Sequence, residues 1–143
     1  MTRFLLVLIA VLALGAGTAS AAADASRSTL TVRSSAYGKI LFDGTGRALY
    51  AFTKDPRRKS VCAGACAKAW PPYVVSTRPK AGVGVKASLL GTTKRADGRT
   101  QVTYNGRPLY YYVGDPVGQV RCQNVNEFGG LWLVVRANGR LVR

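Results

Sequence analysis

Gly46-Arg47-Ala48-Leu49-Tyr50-Ala51-Phe52-Thr53-Lys54-Asp55-Pro56 is answered sixty residues later by Gly106-Arg107-Pro108-Leu109-Tyr110-Tyr111-Tyr112-Val113-Gly114-Asp115-Pro116. Gly, Arg, Leu, Tyr, Asp and Pro keep their places in both copies. The same offset aligns Gly38-Lys39 with Gly98-Arg99, Cys62 with Cys122, and Val74-Val75 with Val134-Val135. Trp70 and Trp132 fall two places out of step. Such a period signals one supersecondary unit used twice. Each copy also carries hairpin chemistry. Lys39 to Phe42 and Ala48 to Thr53 flank Asp43-Gly44-Thr45-Gly46, and Arg99 to Tyr104 and Pro108 to Val113 flank Asn105-Gly106. A third turn, Asn138-Gly139, joins Trp132–Val135 to Leu141-Val142. The expected fold is mostly β: a compact antiparallel domain over 37–143 from two tandem pseudo-equivalent repeats, about 37–84 and 88–143. A short helix is expected near 62–69, where an Ala-rich stretch runs into Trp70-Pro71-Pro72.

At 143 residues the chain suits one domain. Its first residues read differently from the rest. Arg3 is followed by an apolar run from Phe4 to Leu14, and Ala19-Ser20-Ala21 fits a small-residue cleavage site, the pattern of an export signal over 1–21. The run is about half of the ~20 residues that span a bilayer, and no Cys stands there to carry a lipid. No stable membrane anchor is therefore expected after cleavage, and 22–36 reads as a flexible lead, although Thr29 to Arg33 alternates in strand fashion. The destination is the cell envelope or the exterior.

The formal charge is +15, and loss of Arg3 leaves about +14. A field of this size attracts acidic partners. For an exported chain these are anionic envelope components rather than nucleic acid. Lys54, Arg57, Arg58 and Lys59 form the one tight basic cluster. Histidine is absent, which removes Ser-His-Asp and Cys-His catalysis and most zinc sites. No catalytic residue, metal site or cofactor is assigned.

Tyr50 with Phe52, and Tyr110 with Tyr112, share a strand face, while Asp55 and Asp115 stand five places beyond each Tyr on the opposite face. Both Asp residues precede Pro, the chemistry of a type I turn. Two readings follow. Either Tyr packs at the core edge and Asp closes the strand, or Tyr50, Phe52, Asp55, Tyr110, Tyr112 and Asp115 form an aromatic surface with a carboxylate rim that holds a ligand. Cys62, Cys66 and Cys122 are disulfide candidates in an oxidising compartment. A Cys62–Cys66 loop gains about 2 kcal/mol and a bridge to Cys122 about 4 kcal/mol by chain entropy. Loop entropy does not choose between them. Cys62–Cys66 is preferred, with Cys122 free or intermolecular.

The order Leu49-Tyr50-x-Phe52-x-x-Asp55, Cys62-x-Gly64-x-Cys66-Ala67-x-x-Trp70-Pro71-Pro72, then Gln101-Val102-Thr103-Tyr104-Asn105-Gly106-x-Pro108-Leu109-Tyr110-x-Tyr112-x-x-Asp115 and Phe128-Gly129-Gly130-x-Trp132, resembles a family of secreted bacterial repeat proteins and lipoproteins with a Yx(FWY)xxD motif. The likeness runs from about Tyr37 to Val135. It implies tandem repeats and export, and it supplies no activity. The chain lacks the family's lipid-bearing Cys, and Cys122 allows a second bridging pattern. The functional expectation is a non-catalytic binding or structural module. An electrostatic binder of anionic envelope polymers, or an enzyme using Tyr, Asp or Cys, are the alternatives.

Overall fold

The computed structural model describes residues 17–143; the apolar part of the expected export signal lies outside the described residues. In chain order the elements are helix α1 (Gly17–Arg27), strands β1 (Thr29–Ser35), β2 (Gly38–Asp43) and β3 (Tyr50–Phe52), and helix α2 (Ala65–Ala69). Strands β4 (Lys80–Ala81), β5 (Leu90–Lys94), β6 (Thr100–Tyr104), β7 (Arg107–Tyr110), β8 (Val125–Glu127) and β9 (Gly130–Val134) follow. One sheet has the order β2-β1-β4, the other β5-β6-β7-β3-β9-β8. All pairings between these strands are antiparallel except β1 with β4. The mostly-β expectation holds, and α2 forms inside the stretch anticipated for a helix.

Turn chemistry sets the hairpins. Asn105 and Gly106 both have positive φ, 50° and 72°, as a two-residue type I′ loop requires, and they join β6 to β7. At Asp43–Arg47, Arg95–Arg99 and Arg136–Arg140 a three-residue loop closes instead. In each, the residue before the last is a left-handed glycine whose N–H bonds back to the first carbonyl.

Two expectations are corrected. Residues 22–36 are not a loose lead: α1 runs to Arg27, and Leu30–Ser35 pairs residue by residue with β2. Leu30 is fully buried there, so the alternation seen in Thr29–Arg33 decides that segment. Secondly, β3 is only briefly the partner of β2. A bridge between Phe42 and Ala48 and a Leu49 N–H bond to Leu41 O start that hairpin; then the strands splay. β3 continues between β7 and β9, with Tyr50 opposite Tyr110 on one side and Val134 on the other.

The splaying has a counterpart in the second copy. Where β2 and β3 separate, the end of β9 and the residues after it enter: Leu41 N–H bonds to Val135 O, and Ile40 bridges Arg136. Where β6 and β7 separate, the segment after Trp70 enters: Pro72 bridges Tyr110, Val74 bridges Gln101, and Tyr73 N–H bonds to Leu109 O. Each repeat's hairpin is thus completed by the other repeat's Trp-bearing segment. The two-place slip between Trp70 and Trp132 has its cause here, because α2 precedes the first Trp and the β8–β9 hairpin precedes the second.

This exchange builds the core. β3 is buried on both faces. Tyr50 and Phe52 point into one apolar cluster with Trp70, Tyr110 and Trp132; Ala51 faces a second cluster with Leu49, Leu109 and Val135. In the first, three rings stack in series and a fourth tilts against the end. Phe52 lies on Trp132 at 4.1 Å and Trp132 on Trp70 at 4.1 Å, and Trp70 meets Tyr112 at 4.8 Å. Tyr50 sits edge-on to Trp70 and Tyr110 edge-on to Trp132. Each such pair is worth about 0.5–1.5 kcal/mol beyond its burial, and the order Phe52–Trp132–Trp70–Tyr112 alternates between repeats. Cys62 and Cys66 form the disulfide at the edge of this cluster, and Cys122 is free.

Candidate functional site

The shared motif does its chemistry between the copies. Tyr50 Oη–H donates to Asp115 Oδ2 at 2.5 Å, and Tyr110 Oη–H donates to Asp55 Oδ2 at 2.7 Å. The second oxygens are matched too: Asp55 Oδ1 accepts from Val61 N–H at 2.8 Å, and Asp115 Oδ1 from Arg121 N–H at 2.9 Å. Both acceptor bonds span six residues. A Tyr and an Asp of the same copy do not pair, in keeping with strand parity. The Asp nonetheless returns to the core, because each strand ends in a turn: Asp55 N–H bonds to Phe52 O, and Asp115 N–H to Tyr112 O. With β3 and β7 antiparallel and the two Tyr residues opposed, each strand's exit lies beside the other copy's Tyr.

The clasp continues past the Asp. Arg58 N–H bonds to Gly106 O at 2.7 Å, and Gly118 N–H bonds to Gly46 O at 2.7 Å. The residue before each donor lies over the glycine. A Cβ at Gly106 would stand 2.9 Å from Arg57 Cγ, and one at Gly46 would stand 3.1 Å from Val117 Cγ1. Both glycines have left-handed φ as well, 72° and 93°, so two constraints select Gly. Every identical position of the motif whose side chain is polar or absent, apart from the Arg, therefore serves the contact between repeats.

The aromatic residues read as a ligand surface turn inward. Tyr50 and Tyr110 are fully buried, Phe52 is 3 % exposed, and Tyr112 is half-buried against Trp70. Burial, with the facing carboxylate second for Tyr50 and Tyr110, pushes both hydroxyls far above the ordinary tyrosine value. Burial likewise raises Asp55, outweighing the hydrogen bonds from Tyr110 and Val61. The result is two neutral phenols on two carboxylates, with each carboxylate oxygen holding a protein partner.

A buried polar network that the sequence did not disclose supports one of these pairs. Arg95, 7 % exposed, donates to Ser60 Oγ, Gln101 Oε1 and Cys62 O, each at 2.7 Å. Ser60 Oγ lies 2.6 Å from Tyr110 Oη. Because the Tyr110 proton is committed to Asp55, Ser60 is the donor in that contact. The order is Arg95 to Ser60 to Tyr110 to Asp55. Arg95 Nε faces Asp97 Oδ2 at 3.5 Å, an ion pair without hydrogen-bond geometry. Val120 stands where Ser60 would have its twin, so the Tyr50–Asp115 pair lacks this support.

Asp115 is the sharper test of the clasp. Asp115→Ala strands the Tyr50 hydroxyl and the Arg121 N–H, and hydrogen bonds to a charged group contribute about 1.5–3 kcal/mol each. A loss of about 3–5 kcal/mol in unfolding free energy is expected in urea melts. A loss below about 1 kcal/mol would mean that the clasp does not stabilise the fold.

The turns after the two Asp residues have diverged. Arg58 occupies left-handed backbone at φ 57°, and its twin is Gly118 at φ 77°. For a residue with a long side chain that conformation costs about 1–2 kcal/mol. The offset that aligns the repeats sets Arg58 opposite a glycine, a signal of left-handed backbone that is readable in the sequence. The two Arg residues of the motif differ as well. Arg47 lies 4.4 Å over the Tyr111 ring and donates to Tyr112 O at 3.2 Å. Arg107 has no side-chain hydrogen bond or ion pair among the described residues. It lines a cavity of about 130 Å³ together with Asp55, Pro56, Arg57, Asn105 and Gly106.

The profile of one protein family, described as a secreted repeat of unknown function, matches residues 31–73 and 91–136. The first match starts inside β1, ahead of the expected boundary at residue 37, and ends at Tyr73; the second runs from Gly91 in β5 to Arg136, just after β9. No curated protein and no solved structure matches the chain. With two matched copies covering more than half of its length, this chain belongs to the family of secreted repeats of unknown function.

Proposed function

We propose that this secreted protein is a non-catalytic module that binds acidic polymers of the cell envelope, with its repeated motif serving as the internal fastening and its exterior as the binding surface. The observation that carries the reading is the distribution of charge. Among the described residues the ion pairs are Arg95–Asp97 and Arg99–Asp97, both on one carboxylate. The remaining basic side chains leave a large unneutralised field on a chain of formal charge +15. The carboxylates that a catalytic reading would use, Asp55 and Asp115, already hold two protein donors each. The tyrosines beside them are kept protonated by burial. Export by a cleaved signal belongs to the same proposal, and Ala19 to Ala25, the region of the expected cleavage, is exposed on α1. No helix among the described residues is long and apolar enough to cross a membrane.

Retention of the purified protein on a column of immobilised linear polyphosphate tests the reading. Binding is expected at low salt and should fall steeply towards physiological salt, because exposed charges are screened beyond about 8 Å there. Retention that is indifferent to salt, or none at low salt, would refute it.

A further inference from the structure

We propose that the first repeat's turn, Pro56 to Lys59, forms with Arg107 a dedicated site for a chain of spaced oxyanions, and that the matching turn of the second repeat is a fastening only. The inference rests on the reading of the protein as a binder of acidic polymers and assigns it a place. Three observations converge. First, the two turns have the same backbone and the same anchoring bond, from residue 58 or 118 to the opposite hairpin glycine, yet one carries Pro-Arg-Arg-Lys and the other Pro-Val-Gly-Gln. The fastening needs no charge, since the second turn works without it.

Second, Arg58 stays in left-handed backbone where its twin is Gly. A non-glycine residue held in such a conformation by its surroundings is a common mark of function. The surroundings here are explicit: Gly106 O accepts from Arg58 N–H, and Arg58 O accepts from Thr93 Oγ1–H at 2.5 Å. Both backbone groups of Arg58 are pinned, so its exposed side chain leaves the turn in a fixed direction.

Third, the cations outnumber the acid beside them, and none of them is in an ion pair among the described residues. Arg57 spends one N–H on Asn105 O at 3.3 Å, and the side chains of Arg58, Lys59 and Arg107 have no hydrogen bond or ion pair among the described residues. Two cavities share Arg57, Asn105 and Gly106 in their walls: one of about 130 Å³ is also lined by Arg107, and one of about 240 Å³ by Arg58, Ser88 and Thr92. The carboxylate on the wall, Asp55, has both oxygens occupied by Val61 N–H and Tyr110 Oη–H. Two small basic pockets that share one arginine suit successive oxyanions on a flexible chain better than a single ion.

The experiment measures affinity of the full chain for linear polyphosphate, and in separate arms for poly-glutamate, phosphatidylglycerol vesicles and duplex DNA, as a function of salt. Arg57→Gln/Arg107→Gln is expected to weaken polyphosphate binding about tenfold or more and to lower the salt slope by roughly two. Arg33→Gln/Lys39→Gln, the same charge change at exposed residues of the β1–β2 hairpin, where Arg33 lies beside Gly46, the anchor of the second repeat's turn, should weaken it less than about twofold if long-range field alone connects it to the site. Arg58→Gly separates ligand contact from structure: affinity should fall several-fold while the melting temperature rises by about 2–5 °C. Equal losses in the two double variants, or a lower melting temperature for Arg58→Gly, would overturn the site and leave the general electrostatic reading standing. No polyphosphate or poly-glutamate binding by the parent protein would overturn both. Poly-glutamate binding as tight as polyphosphate assigns carboxylate chains to the same site; binding confined to vesicles or to DNA would overturn the envelope-polymer assignment.

Discussion

Expressed as separate chains, residues 1–86 and 87–143 should each fail to fold, and should recover the native structure when mixed. The reason is the exchange of strands. The first half alone has no partner for the free edges of β3, which pairs only with β7 and β9 in the intact molecule beyond the short start of its own hairpin. The second half alone leaves Gln101 and Tyr110 without the segment after Trp70. Each half would also expose one Trp whose stacking partners lie largely in the other. A fragment of this size has little core to spare, and the Cys62–Cys66 bridge closes too short a loop to replace a missing sheet. Circular dichroism and amide dispersion of each half, then of the mixture, report the outcome. A cooperative melt from either isolated half would show that the reciprocal contacts are not what holds the fold together.

Alkaline unfolding should be steep. Tyr50, Tyr73, Tyr110 and Tyr111 are all raised well above the ordinary tyrosine value, burial being the first cause for each. Tyr111 donates to the buried Asp43 Oδ2 at 2.8 Å, and Tyr73 donates to Arg27 O. In the unfolded chain a tyrosine ionises near pH 10. Raised folded values leave stability intact below that pH and remove it above, since only the unfolded state can release the protons. Each such group contributes about 1.4 kcal/mol per pH unit, so four together remove about 5–6 kcal/mol per unit. Against a typical total of about 5–15 kcal/mol, the transition falls within roughly two pH units above 10. Tyrosinate absorbance and far-ultraviolet circular dichroism should change together. Four tyrosines titrating near pH 10 in a chain that keeps its fold would contradict the burial described here.

How much of this was readable beforehand differs by residue. The turn glycines, Asn105-Gly106, the alternation in Thr29–Arg33 and the Ala-rich run before Pro71 are local signals, and local structure followed them. The Cys62–Cys66 pairing also has a local basis, since the two are only four positions apart and sit at a Cα separation of 5.3 Å. Arg95 shows the opposite case. Nothing in its neighbourhood marks it for burial; it is interior because the Ser60–Cys62 segment and Gln101 of β6 converge on it.

The motif itself divides along the same line. By itself the sequence determined that the unit is doubled, that Tyr and Asp of one copy fall on opposite faces, and that a turn follows each Asp, because side-chain alternation and Pro-directed turns act over a few residues. Only the tertiary structure decided that each Tyr meets the other copy's Asp and that the aromatic faces point inward. Those outcomes depend on setting β3 against β7 with Tyr50 opposite Tyr110, a pairing between positions sixty residues apart on which periodicity within either copy has no bearing. The doubling was legible. Its use as a mutual clasp, which leaves one turn free to carry charge, was not.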